Sequence, residues 1–276
     1  MEFMTLNNGV KLPMMGFGTF KMNGETCEQA VLTAIEGGIR LLDTAEAYGN
    51  EADVGRAVAK CGVSRGELFL LTKVDFKSYE DAAKSVENSL KALGTDYLDM
   101  VLLHWPFGNY YAAWRTLERF YQEGTIRAIG VSNFNPDRLL DLISFNEVVP
   151  AVNQIEAHLL CQRQDHLPWL ERFHVRPMAY APLGRAKSLE APGLAEIAAA
   201  HRKTPAQTAL RYLIQRGMCV IPKSSHAERI RQNMDVFDFQ LTGEEMERLR
   251  QLDTGAAMVG YPEDPKRAET LIGPVK

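Results

Sequence analysis

The feature that most constrains this chain is a repeated alternation. Short apolar runs of strand length alternate with amphipathic stretches of helical period. The runs read MMGFGT, GIRLLDT, ELFLLTKV, YLDMVLLHW, IRAIGV, AVNQIEA, RPMAYAP and MCVIP. Helical patterns follow at residues 24–36, 51–60, 79–93, 110–123, 136–145, 164–173, 192–216 and 226–235. Strands separated by helices build a parallel sheet, because a parallel partner needs a long crossover. Several runs are apolar on successive residues, as strands covered on both faces must be. Eight such units within 276 residues predict an α/β fold, a (β/α)8 TIM barrel in one domain over residues 1–276. Ahead of them, FMTL and VKLP flank Asn7-Asn8-Gly9, a hairpin turn signal, and this hairpin is expected to close the barrel bottom. An open doubly wound sheet competes, but it wants a GxGxxG turn. The nearest string, GFGTFK at 16–21, ends in Lys and does not lead at once into a helix.

Two helix starts carry their own signals. Asn135-Pro136 reads as an N-cap followed by Pro at the first helical position. In LTGEEMERLRQL, Thr242 and Glu245 have capping-box spacing.

Composition narrows the function classes. A net charge of −4 argues against a general nucleic-acid binder. No apolar run reaches the roughly 18 residues a membrane span needs, so no membrane association is expected. The first residues, MEFMTLNNGVKLP, have neither a basic nor an apolar leader region, so no signal peptide is expected. Cys27, Cys61, Cys161 and Cys219 are widely spaced and form no CxxC pair, which suits a reducing, cytoplasmic setting. No exposed apolar helix face asks for a partner, and a monomer is the expectation.

Three consecutive candidate strands end alike: LLD at Asp43, LLTK at Lys73 and LLH at His104, followed by Trp105. Each puts one ionisable group at the C-terminal end of a core strand, the face where barrel active sites lie. Tyr48, just after the first of them, can fold over the same mouth. Singly, each has an ordinary use: Asp43 as a turn cap, Tyr48 as a core-edge aromatic, Lys73 snorkelling, His104 as a satisfied core histidine. Together they are harder to dismiss, because a buried ammonium needs a partner and Asp43 is on the next strand. Lys73 beside the phenol should lower its pKa from about 10. Tyr48 then serves as general acid, with His104 orienting a carbonyl oxygen. Such a set protonates an oxygen as it gains negative charge. It does not suit a metal, since the lysine repels a cation, and Ser-His-Asp chemistry lacks a GxSxG elbow.

Hydride addition needs a donor, and CVIPKSSHAERIRQN at 219–233 offers a place for one. Lys223 and two serines precede a helix start, and Arg229 lies about one turn inside it. Free N–H groups at a helix start attract phosphate, and barrels often hold phosphate after strands seven and eight. The lysine, serines and arginine favour an additional phosphate, hence NADP over NAD.

The stretches GFGTF, LLDTAEAYGNE, LLTKV, LGTDYLDMVLLHWP, GTIRAIGVSNF, NQIE, YAPLG and IPKSSHAERIRQN, in this order, closely resemble the aldo-keto reductases over nearly the whole chain. The resemblance implies a (β/α)8 barrel and NADPH-dependent reduction of aldehydes and ketones, the small-molecule carbonyl substrates. It implies a tetrad of Asp43, Tyr48, Lys73 and His104, with Tyr48 donating the proton. It further implies that Thr19 contacts the cofactor and that Ser132, Asn133 and Gln154 hold the nicotinamide carboxamide. Tyr180 would stack on the ring, and Leu183 and Gly184 would border the pyrophosphate. Lys223, Ser224 and Arg229 would grip the 2′-phosphate, and Asn233 would meet the adenine. Phe20, Met22, Trp105 and Tyr110 would line the substrate mouth with Tyr48 and His104. Gln232 stands where the family often has Glu, and AHLLCQ follows NQIE where relatives often have an aromatic and then His-Pro. The tail ending LIGPVK resembles the shorter bacterial members, similar to 2,5-diketo-gluconate and prostaglandin F synthase-like reductases, and implies an open pocket. A cofactor-binding regulatory subunit on the same barrel is the alternative function.

Overall fold

In the computed structural model, residues 2–273 are described. The last three residues of the LIGPVK tail, and Met1, lie outside them. The chain begins with an antiparallel hairpin, β1 (Phe3–Thr5) and β2 (Lys11–Pro13), turning at Gly9 with φ 85°. A positive φ there is the conformation glycine adopts at no steric cost.

Eight parallel strands follow: β3 (Gly16–Gly18), β4 (Leu41–Asp43), β5 (Phe69–Val74), β6 (Met100–Leu103), β7 (Ile129–Ser132), β8 (Val152–Glu156), β9 (Arg176–Tyr180) and β10 (Cys219–Val220). They pair in chain order, and the ring closes through a parallel bridge between Met15 and Val220. Val220 N–H donates to the Met14 carbonyl at 2.9 Å, and Gly18 N–H to the Pro222 carbonyl at 3.1 Å, completing the (β/α)8 barrel.

Strand residues alternate between inside and outside, and this parity sorts the core. Leu41, Phe69, Leu71, Met100, Leu102, Val152, Met178 and Cys219 fill the interior with Leu6 and Leu12 of the hairpin. Leu42, Leu70, Val74, Val101 and Leu103 face outward onto the helices. The hairpin plugs the bottom as expected: Asn7 Nδ2 donates to the carbonyls of Val149 and Pro150, and Asn8 Nδ2 to that of Arg127.

The helices are α1 (Gly24–Glu36), α2 (Glu51–Lys60), α3 (Ala82–Leu93), α4 (Tyr110–Gln122), α5 (Pro136–Ser144), α6 (Leu167–Arg172), α7 (Leu194–Ala200), α8 (Pro205–Gln215), α9 (Ala227–Met234), α10 (Gly243–Arg250) and α11 (Pro265–Ile272). The single helix expected over 192–216 is two, α7 and α8. The chain turns left-handed at Arg202, φ 57°, and restarts at Thr204, whose side chain and that of Gln207 form a reciprocal capping box ahead of Pro205. The Thr242–Glu245 capping box is present. Asn135 is the N-cap residue of α5 but its side chain bonds Glu263 and His166 instead. No helix among the described residues is long and apolar enough to cross a membrane.

Candidate active site

The inward parity of three neighbouring strands builds the centre of the site. In β5, Phe69 and Leu71 point inward, so Lys73 does too, one layer higher. Asp43 tops Leu41 on β4, and His104 continues the Met100, Leu102 parity of β6. All three lie at the C-terminal face of the barrel. Lys73 is fully buried, and its Nζ lies 2.8 Å from both Asp43 carboxylate oxygens, 2.9 Å from the Thr44 carbonyl and 3.4 Å from the Tyr48 hydroxyl. Tyr48 reaches this point from a short turn, Glu46–Tyr48, that reverses at Gly49 with φ 66°.

Electrostatics follow from burial. Burial depresses the pKa of Lys73, and the Asp43 charge pulls it back up. Burial and then the Lys73 charge push His104 well below its usual range, so its imidazole is neutral. Its Nδ1 is buried with no hydrogen-bond partner among the described residues, leaving bonding capacity unspent. Tyr48 departs from expectation. Lys73 was expected to lower the phenol, but burial and then the Asp43 charge raise it well above its ordinary value. The reason is that Asp43 engages the ammonium at shorter range than the phenol does, so little net positive charge is left to act on Tyr48.

Around this centre, Asn133 sits in the left-handed region, φ 64°, a strained position for a non-glycine. Its Nδ2 donates to the His104 carbonyl at 3.1 Å, and its Oδ1 accepts from Tyr180 at 2.8 Å. Ser132 Oγ donates to the Gln154 carbonyl. Gln154 Nε2 donates to Asp43 at 2.7 Å, joining two groups that the sequence reading kept apart. Thr19 is fully buried with its hydroxyl on the Asp43 carbonyl. Gly184, φ 54°, opens a left-handed run after Leu183 that continues through Arg185 and Ala186. A Cβ on Gly184 would meet Ser188 and His158.

The 219–233 stretch is laid out as a cradle. Ser224 Oγ accepts from the His226 amide just ahead of α9. Lys223 and Arg229 are exposed and form no ion pair among the described residues. Asn233 is 8% exposed, its side-chain amide has no hydrogen-bond partner among the described residues, and it lines a small cleft with Phe17, Pro222, Ser224 and Ile230. The Asn233 amide is thus unspent beside a small, largely apolar cleft, and Lys223 and Arg229 lie exposed on the same stretch. Gln232 instead reaches Glu228 on the surface.

Among the side chains expected at the mouth, Phe20 is 47% exposed with its ring 4.9 Å from that of Tyr48, and Trp105 follows His104 with the rings stacked. Met22 and Tyr110 are not at the mouth. Met22 packs in the outer core at 2% exposure, and Tyr110 is buried against Phe134 with its hydroxyl on Asp141. The segment after α10 touches the loops after β6, β7 and β8. Glu156, buried at the end of β8, accepts from the amides of Met258 and Val259 and pairs with His158 Nε2 at 3.2 Å. Glu263 bonds Asn135, and the Arg267 guanidinium lies 5.5 Å from the Trp105 ring centroid. Glu156 was readable by the parity that marked Asp43. Arg267 gave no sequence signal.

A family model described as Aldo/keto reductase family matches residues 14–254. An aldo-keto reductase of Mycolicibacterium vanbaalenii is 44% identical over 266 residues, covering 94% of each chain. The crystal structure of an aldo-keto reductase from a Medee basin deep-sea metagenome library superposes with TM-score 0.92 at 40% identity, over 95% of this chain and 98% of that one. A Bombyx mori aldo-keto reductase, solved in complex with NADP, gives 0.90 at 33%, over 96% and 98%. The family model and these relatives match the chain over most of its length, and the chain belongs to the aldo/keto reductase family.

Proposed function

We propose that this oxidoreductase is a single barrel domain that reduces aldehydes and ketones to alcohols with NADPH, as a cytoplasmic monomer. The observation that carries the reading is the Tyr48 hydroxyl, 3.4 Å from an ammonium held by both oxygens of Asp43, beside a neutral imidazole. The bound cofactor supplies a hydride to the carbonyl carbon. Ser132, Asn133 and Gln154 are assigned to its carboxamide, Tyr180 to one ring face, and Thr19, Leu183 and Gly184 to its neighbourhood. Lys223, Ser224 and Arg229 are assigned to the 2′-phosphate and Asn233 to the adenine.

Tyr48 holds its proton at neutral pH because its phenol is pushed up. The proton leaves only when the substrate oxygen becomes an alkoxide, a stronger base than phenolate. Lys73 then faces the phenolate, while Asp43 keeps the ammonium in place. His104 orients the carbonyl oxygen, and Phe20 and Trp105 wall the mouth. Fluorescence titration with NADPH and NADH, followed by a carbonyl panel read as loss of reduced nicotinamide, tests this. Tighter binding of NADPH with turnover of several aldehydes is expected. Binding without turnover of any carbonyl would overturn the reaction, and absent binding would overturn the cofactor assignment.

A further inference from the structure

Tyr48 stands on a turn that is pinned mainly at its two ends. At one end Thr44 N–H donates to the Leu71 carbonyl at 2.9 Å. At the other, Asn50 Nδ2 donates to the carbonyls of Thr19 and Met22. Between them the amides of Tyr48 and Gly49 bond only within the turn, to the carbonyls of Ala45 and Glu46, and Ala47 and Gly49 are exposed. Apart from the Lys73 contact with the phenol itself, the middle of the turn is hydrogen-bonded to the rest of the barrel, among the described residues, through one side chain, Glu46.

Glu46 is half-buried, and its carboxylate meets no cation among the described residues. It accepts three hydrogen bonds instead. Oε2 accepts from the Asp75 amide at 3.0 Å and from Ser85 Oγ at 2.7 Å, and Oε1 accepts from Ser78 Oγ at 2.8 Å. These donors span the adjoining βα unit. Asp75 directly follows β5 and lies two residues beyond Lys73, Ser78 lies in the short turn Phe76–Asp81, and Ser85 is buried in the first turn of α3. Hydrogen bonds to a carboxylate are about twice as strong as neutral ones. A half-buried carboxylate without a cation is costly, and the three donors offset that cost only while the turn stays in place.

We infer that Glu46 is a positioning residue, which sets the Tyr48 hydroxyl against the Lys73 ammonium by fastening the turn after β4 to the exit of β5. Glu46 engages α3 on the outside of the barrel, while Tyr48 engages Lys73 at its mouth. The contact so set is sensitive. At 3.4 Å the phenol is at the long end of hydrogen-bond reach, so a small retreat of the turn loses it. A misplacement of about 1 Å can cost about a hundredfold in rate. The role rests on the reading of Tyr48 as the proton donor.

Single-turnover reduction of a simple aldehyde at saturating NADPH separates positioning from general support of the fold. It is measured for the native chain, Glu46→Ala, Glu46→Gln, Tyr48→Phe and Tyr48→Phe combined with Glu46→Ala, each alongside its NADPH affinity. Glu46→Ala is expected to lower the rate about ten- to a hundredfold at near-native NADPH affinity. Glu46→Gln should return the rate to within a few-fold of native, because its carbonyl oxygen replaces Oε2 and Ser78 can accept from its amide. In the Tyr48→Phe background, Glu46→Ala should slow the reaction no further, since the group it positions is gone. If Glu46→Ala does not fold, Ser78→Ala with Ser85→Ala removes two of the three donors and should give a smaller loss, again absent from the Tyr48→Phe background. A native rate in the alanine variants, or an equal further loss in the Tyr48→Phe background, overturns the inference and leaves Glu46 as a support of the fold. A slow Tyr48→Phe beside a native Glu46→Ala sinks this inference alone. A native rate in Tyr48→Phe sinks the proton-donor reading, and this inference with it.

Discussion

Lys73 is the residue on which the site's energetics turn. Its ammonium has left water entirely and is compensated by one carboxylate, so removing it strands Asp43 in the barrel with only the Gln154 amide for company. Lys73→Met is expected to cost about 3–5 kcal/mol of stability, and Lys73→Met with Asp43→Asn to cost clearly less, as read by denaturant unfolding. An equal cost for single and double variants would deny the coupling. His104 gives a pH signature. It stays neutral when folded but takes a proton below about 6.5 when unfolded, so the unfolded state binds more protons on the acid side. Stability should fall as pH drops from 6.5 toward 5, by up to about 1.4 kcal/mol per unit, and His104→Gln should flatten that slope. At this scale the four strand-end and turn residues were legible because inward parity plus an ionisable strand end is a local pattern. The upward shift of Tyr48 and the Gln154–Asp43 bond were not, since both depend on segments brought together by the closed ring.

Elements divide by how local their signals are. The α10 capping box is written in two residues three apart, and Thr242→Ala should cost about 1 kcal/mol. The break between α7 and α8 had a local signal as well, in Thr204-Pro205 with Gln207, but the apolar period running through 192–216 masked it. The strap after α10 has no period to read over 253–264, and its partners are distant in sequence, among them Glu156, about a hundred residues earlier, Leu160 and Asn135. Glu156→Gln swaps a carboxylate acceptor for a neutral one and should speed amide exchange at Met258 and Val259, while exchange in β8 stays slow. Unchanged exchange at those amides would show that the strap is held elsewhere.

For the molecule as a whole, eight βα units in order dictated the barrel, because a parallel ring covered by helices buries every apolar strand face. Net charge was a poorer guide, since a sum of −4 conceals the cations gathered at 223–229. If this group meets the 2′-phosphate, Arg229→Ala should raise the NADPH dissociation constant about ten- to a hundredfold with little change for NADH. Equal effects on both would move the phosphate elsewhere. If Tyr48 is the acid, the barrel presents one protonated phenol to the substrate oxygen. The most direct measurement is single-turnover reduction of a simple aldehyde by Tyr48→Phe, alongside its NADPH affinity. Near-native affinity is expected, with a rate lower by about a hundred- to ten-thousandfold, the usual contribution of a positioned acid. A rate within a few-fold of native at unchanged affinity would contradict that role.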